Sequence, residues 1–121
     1  MNNQGPLSGI TVVTCSTAQA GTVPYMLMAD MGANVIKIEL PNKGDGNRNS
    51  GELKNGISSY FETNNRGVKS LTLNLKSDQG KQILYKLIKK ADVFGQNFSP
   101  GAAERNGFGY EDLKKINPSI V

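Results

Sequence analysis

The residues best placed to do chemistry are Gln19, Ala20 and Gly21, which follow the short apolar run ITVVT at positions 10–14. A β-branched run that is apolar on both faces is typical of a buried parallel strand. In open parallel sheets, ligands bind beyond the carboxyl ends of the strands. A glutamine there can donate and accept hydrogen bonds, and the N–H groups of a following helix favour an anion or oxyanion. On spacing alone, a loop glutamine that faces water is the commoner explanation.

Two common phosphate sites and imidazole chemistry are excluded by the residues present. The loop after the first strand contains only Gly21, so it lacks the G-x-G-x-x-G spacing of dinucleotide sites, and the chain has no G-x-x-x-x-G-K-[ST] motif. The sequence contains no histidine, which removes imidazole general bases and histidine metal ligands, and we predict no metal site. Cys15 therefore has no histidine to activate it, and we predict a small buried thiol.

Composition predicts one domain of 121 residues with a mildly basic surface, since the sequence has 14 Lys and Arg but only 10 Asp and Glu. The surplus is compatible with an anionic ligand, but its dispersion argues against nucleic acid. No apolar run is long enough to span a membrane, and the first nine residues lack the features of a signal peptide. One cysteine suggests a reducing compartment, so we expect a cytoplasmic protein without a membrane partner.

The predicted elements alternate between strand and helix. Strands are predicted at 10–14, 34–40, 69–75 and 92–98, and helices at 23–31, 78–91, 102–106 and 110–116. A polar stretch at 42–56 has no periodicity, while 57–65 fits either a helical turn, which we favour, or an extended piece. The final PSIV resembles the start of another strand. This alternation predicts an α/β fold, a parallel sheet with flanking helices.

Local signals refine these boundaries. We expect Thr22 to cap the first helix, with Pro24 in its first turn, and Gly32 to end that helix in a left-handed conformation. The first helix is apolar nearly all round, so we expect other elements to cover it. Ser77 is predicted to cap the helix at 78–91. The carboxylates have local explanations as helix or loop surface residues, and none is assigned as a nucleophile: Asp30, Asp45, Asp78, Asp92 and Asp112.

Several separated motifs together resemble family III CoA-transferases, the group that includes formyl-CoA transferase and carnitine CoA-transferase. The motifs are PLSGITVV (6–13), QAGTVPYMLMADMGANVIKIE (19–39), NRGVKSLTLNLKSDQGK (65–81) and KKADVFGQNFSPGAAERNGFGYEDLKKINPSIV (89–121). Racemases that act on 2-methylacyl-CoA share this pattern. The resemblance runs from Pro6 to Val121, and the order and spacing of the motifs make it specific.

The resemblance implies that residues 1–121 are the N-terminal part of a Rossmann-like, CoA-binding large domain in a longer protein. It implies interlocked homodimers, acyl-CoA and a small carboxylic acid as substrates, and no permanently bound cofactor. Catalysis in the family passes through an aspartyl-CoA thioester, and the aspartate would lie downstream of Val121. Acyl-CoA racemase activity, or a non-catalytic CoA-binding fragment, stays open as an alternative.

The resemblance also implies roles for individual residues. Gln19 and Ala20 would lie beside the thioester and the catalytic carboxylate. The other implied CoA contacts are Leu73, Asn74, Leu75 and Lys76 along the adenosine, Asn97, Phe98 and Ser99 at the pantetheine arm, and Arg105 at the phosphates. Lys76 and Arg105 supply the cations that a phosphorylated ADP group needs. Leu40 departs from the pattern, because formyl and oxalyl transferases tend to have an arginine there; we expect an apolar adenine contact.

Overall fold

The computed structural model describes residues 5–121, so the first four residues of the predicted 1–121 domain lie outside the described residues. Strands and helices alternate as predicted, which confirms the α/β class. In chain order the elements are β1 (Thr11–Thr14), α1 (Ala18–Asp30), β2 (Asn34–Glu39), a 3-10 turn (Gly46–Asn49), β3 (Leu53–Lys54), β4 (Ile57–Ser58), α2 (Ser59–Asn65), β5 (Lys69–Thr72), α3 (Asp78–Ile88), β6 (Val93–Gly95), α4 (Ala102–Arg105) and α5 (Tyr110–Ile116).

Within residues 5–121, a parallel sheet of four strands has the order β5-β2-β1-β6. Val13 on the central strand β1 lies opposite Ile36 of β2 and Phe94 of β6. Numbered along the chain, the four strands run 3-2-1-4, the arrangement of a Rossmann-like sheet. The order reverses between β1 and β6, and this reversal is the topological switch point at which such sheets bind ligands.

The chain end lies on the outer edge of β6. The N–H of Phe94 donates to the carbonyl of Val121 at 2.9 Å, and the N–H of Val121 donates to the carbonyl of Asp92 at 3.0 Å. The segment predicted as the beginning of a strand therefore pairs with the sheet through its last residue, although it is too short to form a ladder.

Both faces of the sheet are covered, which explains the continuous apolar run in β1. Val12 and Val13 are each 0% exposed and face opposite sides. Val12 packs in a cluster that includes Tyr25 and Met28 of α1. Val13 packs in a larger cluster with residues of α3 and the segment after it, of α5 and of the chain end, namely Leu84, Ile88, Ala91, Leu113 and Ile120.

Helix α1 begins five residues earlier than predicted. Its N-cap is Thr17, not Thr22, and Gln19, Ala20 and Gly21 form its first turn rather than a loop. Thr22 is buried inside the helix, where its hydroxyl donates to the carbonyl of Ala18 at 2.8 Å. The Thr-x-Pro pattern resembles a helix start, but here Thr22 and Pro24 lie inside the helix.

The carboxyl end of α1 follows the prediction. Gly32 has φ +102°, and the N–H groups of Gly32 and Ala33 donate to the carbonyls of Ala29 and Met28 at 3.0 and 2.9 Å. These two bonds form a Schellman cap. The expected all-round cover is wrong, since Leu27 is 45% and Met31 41% exposed. The sheet and α2 cover α1 from one side, which leaves the opposite apolar side chains in solvent.

The polar stretch 42–56 is folded. Asp45 begins the 3-10 turn by accepting the N–H of Asn47 at 2.9 Å, and β3 and β4 form a hairpin whose turn residues Asn55 and Gly56 have φ +53° and +77°. Positive φ at both residues is typical of a type I′ turn, which Asn-Gly favours. The expectation that Asp45 is a surface residue is wrong, since it is 2% exposed.

The remaining elements keep their predicted types, most of them with shorter bounds, while α5 has the predicted bounds 110–116. The segment at 57–65 contains the helix α2, capped by the hydroxyl of Ser58, which accepts the N–H of Phe61 at 3.0 Å. Ser77 caps α3 as predicted and accepts the N–H of Gly80 at 3.1 Å. Strands β5 and β6 end at Thr72 and Gly95, three residues before the predicted ends at 75 and 98.

Candidate functional site

A groove of about 240 Å³ lies at the carboxyl ends of β1, β2 and β5. The segments that follow these strands and β6, together with α4 and its neighbours, form its walls. The lining residues outside the strands are Cys15, Thr17, Leu40, Gly44, Asp45, Gly46, Leu73, Asn74, Leu75, Lys76, Phe98, Ala102, Asn106 and Phe108. Lys37, Ile38 and Glu39 of β2 also line the groove, so a largely apolar surface meets a charged floor.

Half of the ten predicted site residues line this groove. They are Leu73, Asn74, Leu75 and Lys76 after β5, and Phe98 after β6. The other five are exposed around the same edge of the sheet: Gln19 and Ala20 in the first turn of α1, Asn97 and Ser99 after β6, and Arg105 on α4. Sequence reasoning missed Thr17, Asp45 and Ala102, because nothing in their local patterns distinguishes them from ordinary loop or helix residues.

The turn from β5 into α3 is held by its own backbone and by Asn74. The carbonyl of Asn74 accepts the N–H and the hydroxyl of Ser77 at 3.1 and 2.9 Å, and its side-chain oxygen accepts the N–H of Lys76 at 3.1 Å. A Cβ on Gly80 would lie 2.0 Å from the carbonyl oxygen of Asn74, so only glycine allows this approach. The turn thereby fixes the backbone of Lys76 at the groove.

The turn from β1 into α1 is held by a residue 80 positions away. Asn97 accepts the N–H of Thr17 on its side-chain oxygen at 2.9 Å and donates from Nδ2 to the carbonyl of Thr17 at 2.7 Å. The next residue, Ala18, has φ +58°, a left-handed conformation that costs an L residue about 1–2 kcal/mol. A Cβ on Gly21 would lie 2.5 Å from Nδ2 of Asn97, so glycine makes room for the side chain.

The groove floor contains a buried ion pair. Lys37 and Asp45 form a salt bridge in which the side chains are 3% and 1% exposed, and Lys37 also donates to the side-chain oxygen of Asn65 at 2.8 Å. A buried ammonium requires such partners, because removing it from water is costly. The ion pair with Lys37 therefore places Asp45, a residue of the polar stretch, on the groove floor.

A second pair lies beside the first. Arg48 donates two hydrogen bonds of 2.7 Å to the two carboxylate oxygens of Glu39, which also accepts the N–H of Asp45 at 2.8 Å. Burial acts to raise the pKa of Glu39, but hydrogen bonds from Arg48, Ser70 and the Asp45 backbone, with the charge of Arg48, lower it to about 2. Glu39 therefore stays ionised at neutral pH and is unsuited to accept a proton.

The polar and charged groups on the groove floor have their hydrogen-bond partners within the protein. Throughout residues 5–121, every buried side-chain nitrogen or oxygen has a hydrogen-bond partner. The ring of Phe61 adds cation–π contacts, 4.0 Å from the guanidinium of Arg48 and 5.4 Å from Nζ of Lys37. The floor can thus shape the groove and exclude water, while the carboxylates on it are committed to their partners.

Cys15 is chemically quiet, as predicted. It is 5% exposed, its thiol donates to the carbonyl of Gly95 at 3.7 Å, and burial raises its pKa to about 12. The thiolate, which is the nucleophilic form, is therefore scarce at neutral pH.

Clusters that could hold a metal ion, with three or more His, Cys, Asp or Glu, do not occur among residues 5–121. In the same described part of the chain, no helix is both long and apolar enough to span a membrane.

Comparisons with known proteins agree on one family. The sequence profile described as CoA-transferase family III matches residues 7–121. The chain is 40% identical over 118 residues to the acetyl-CoA:oxalate CoA-transferase of Acetobacter aceti, covering 98% of this chain and 30% of that protein. It is 38% identical over 122 residues to the succinyl-CoA:glutarate CoA-transferase of Homo sapiens, covering 100% of this chain and 28% of the human protein.

The fold of the chain also matches a solved structure closely. A CAIB/BAIF family protein from Brucella suis superposes with a TM-score of 0.89 at 35% identity, over 97% of this chain and 32% of that one. The chain thus spans about 30% of the length of the relatives it matches.

Proposed function

This chain belongs to CoA-transferase family III, and we propose that it forms the N-terminal, CoA-binding part of an enzyme that moves CoA between carboxylic acids. The observation that carries the proposal is the groove at the carboxyl edge of the sheet, lined by Leu73 to Lys76 and by Phe98. The family resemblance assigns these residues to CoA, and all five line the same cavity.

In this proposal the groove binds CoA along its length. The apolar walls, including Phe98, take the pantetheine arm, and Leu40, 59% exposed at the groove, packs on the adenine. Lys76 and Arg105 pair with the phosphates, whose charge favours ammonium and guanidinium partners. Asn97 and Ser99 belong to the segment beside the pantetheine arm, and the thioester lies near Gln19 and Ala20.

The proposed reaction uses an aspartate that is not in this sequence. Its carboxylate attacks the thioester carbonyl carbon and the carbon–sulfur bond breaks. This step forms an anhydride between the aspartate and the donor acid and releases CoA as a thiolate. The thiolate then attacks the aspartyl carbonyl and releases the donor acid, which leaves an aspartyl-CoA thioester. The acceptor acid reverses both steps. Gln19 polarises the carbonyl by hydrogen bonding, which stabilises charge that develops on its oxygen.

The carboxylates of this chain support an external nucleophile. Glu39 and Asp45 reach the groove but are held in ion pairs, and Asp30, the last residue of α1, pairs with Arg66. The whole protein would act on acyl-CoA and a small carboxylic acid, in the cytoplasm and as an interlocked homodimer. No permanent cofactor, nucleic acid or membrane takes part in the proposal.

The test incubates the full-length protein with acyl-CoA donors and unlabelled or ¹³C-labelled acids such as oxalate, succinate and glutarate, and follows new acyl-CoA by mass spectrometry. We expect CoA exchange with at least one pair, and loss of activity with hydroxylamine only when acyl-CoA is present. Deuterium entering the α-carbon of a 2-methylacyl-CoA without CoA exchange would instead identify a racemase. The absence of both activities across the panel would contradict the proposal.

A further inference from the structure

We propose that Asn97 is a positioning residue: its side chain holds the β1–α1 turn in the shape that presents Gln19 to the substrate. The proposal rests on the function proposed above. It assigns the side chain of Asn97 a role different from direct contact with the pantetheine arm.

The first step is the pair of bonds to Thr17. The side-chain amide of Asn97 meets both the N–H and the carbonyl of Thr17, at 2.9 and 2.7 Å, as a peptide group of a neighbouring strand would. The last backbone bond between β1 and β6 runs from Cys15 N–H to the carbonyl of Gly95 at 2.9 Å. Asn97 therefore continues the pairing of these strands two residues further, across the switch point.

The second step is what this bridge fixes. Thr17 caps α1 without a side-chain cap bond, and the following Ala18 is left-handed at φ +58°. An alanine would relax to negative φ if the preceding residue were free to rotate. Holding both polar groups of Thr17 prevents that rotation, so the direction in which α1 starts, and the position of Gln19, depends on Asn97.

The third step is the space left for the amide. Gly21 is buried, and a Cβ there would lie 2.5 to 2.9 Å from three atoms of the Asn97 amide. The first turn of α1 therefore accommodates this side chain through a missing methyl group. One hydrogen on Nδ2 stays uncommitted, and a direct bond from it to CoA is the competing explanation that the experiment must separate.

The test compares Asn97→Ala, Gly21→Ala and the matched control Gln96→Ala in the full-length protein. Gln96 is an exposed amide on the same loop, whose Oε1 accepts the N–H of Phe98 at 2.7 Å. Because misplacing a reacting group by about 1 Å can cost about 10²-fold, we expect kcat to fall about 10- to 100-fold in the first two variants. The KM for acyl-CoA and the Kd for CoA should change less than about threefold.

Hydrogen exchange of the Thr17 amide provides a readout that does not depend on activity. We expect exchange to accelerate at least about tenfold in Asn97→Ala and to stay unchanged in Gln96→Ala. Gly21→Ala, which keeps the amide but displaces it, tests the same contact if Asn97→Ala folds poorly.

The outcomes distinguish failure of the positioning role of Asn97 from failure of the proposed function. A Kd for CoA that rises in parallel with the loss of activity, while Thr17 exchange is unchanged, would overturn the positioning role in favour of direct contact. If the unmodified protein transfers no CoA, the proposed function fails, and exchange still decides whether Asn97 holds Thr17. Unchanged exchange in Asn97→Ala overturns the inference in either case.

Discussion

Arg48 donates two hydrogen bonds of 2.7 Å to the carboxylate of Glu39, one to each oxygen. These bonds connect the polar segment after β2 to the end of that strand. Glu39 is 2% exposed at its side chain, whereas Arg48 is 39% exposed. The planar guanidinium suits such a pair because its fork matches the carboxylate. The floor of the groove therefore depends on a contact between a buried anion and a half-buried cation.

Arg48→Ala is expected to destabilise the protein by about 1–3 kcal/mol, because a buried carboxylate loses its main donors. The loss of stability is smaller than for a fully buried pair, because solvent can reach the guanidinium. Urea unfolding followed by circular dichroism measures the change. The matched control is Arg66→Ala, which breaks the exposed pair with Asp30 and should cost about 0–1 kcal/mol. Equal losses in the two variants would show that Glu39 is not effectively buried.

The pKa of Glu39 predicts a loss of stability in acid. Hydrogen bonds and the charge of Arg48 outweigh burial and lower it from 4.5 to about 2. A depressed folded-state pKa contributes stability above the unfolded pKa, and that contribution disappears as pH falls from 4.5 towards 2. Urea midpoints of the unmodified protein and Glu39→Gln should therefore converge over this range. A stability difference that is constant from pH 7 to pH 2.5 would contradict the assignment.

Gly80→Ala should disrupt the turn that carries Lys76. The new methyl group would lie 2.0 Å from the carbonyl oxygen of Asn74, a backbone atom that cannot move alone. Overpacking of this kind costs about 1–3 kcal/mol, measurable as a lower urea midpoint. Gly46→Ala is the control for stability, since nothing lies within 4 Å of its added Cβ. If Gly80→Ala is as stable as the control, the close approach is not required.

Lys76→Ala and Arg105→Ala should weaken the binding of CoA more than the binding of pantetheine, because pantetheine lacks the nucleotide phosphates. Charge-assisted bonds to phosphate are worth about 1.5–3 kcal/mol, so each change should raise the Kd for CoA about 10- to 100-fold in calorimetric titrations of the full-length protein. The effect should shrink at high salt. Lys54→Ala, on the exposed β3–β4 hairpin, is the control. Equal losses for CoA and pantetheine would place these cations away from the phosphates.

The 121-residue chain alone should bind CoA weakly at best and turn over no substrate. It ends at Val121, whereas the proposed nucleophile and the second subunit's surface lie outside it. Calorimetric titration with CoA and the labelled-acid exchange assay measure the two properties. Measurable turnover by this chain would mean that a residue within it acts as the nucleophile, contrary to the proposal.

Local signals predicted the parts of the fold that local contacts determine. Gly32 and Ser77 cap their helices as expected, because each cap is made with residues one turn away. The buried strand β1 was readable for a similar reason, since burial on both faces demands an unbroken apolar run. The Asn55-Gly56 turn carries an equally local hairpin signal, but the hairpin was not predicted, because the surrounding stretch is polar and has no periodicity.

The misjudged features depend on distant partners. Helix α1 starts five residues before the predicted position, at a Thr17 N-cap that makes no side-chain cap bond and whose backbone is bonded by Asn97, 80 residues later. Asp45 is predicted to be a surface residue, but it is buried because it pairs with Lys37, which lies on the covered face of β2. Of the site, the groove-lining residues after β5 could be assigned by family resemblance, whereas the ion pairs on the floor could not, since charges in a polar loop are usually solvated.

Cys15 makes the groove observable by a simple chemical reaction. As the one cysteine of this sequence, buried at the groove with its pKa raised to about 12, it reacts with an alkylating reagent only when the fold opens locally. The alkylation rate relative to a free thiol therefore reports how often the edge of β1 is open. A molecule that fills the groove should slow this reaction, so occupancy of the groove can be followed from the alkylation rate, without a substrate or a turnover assay.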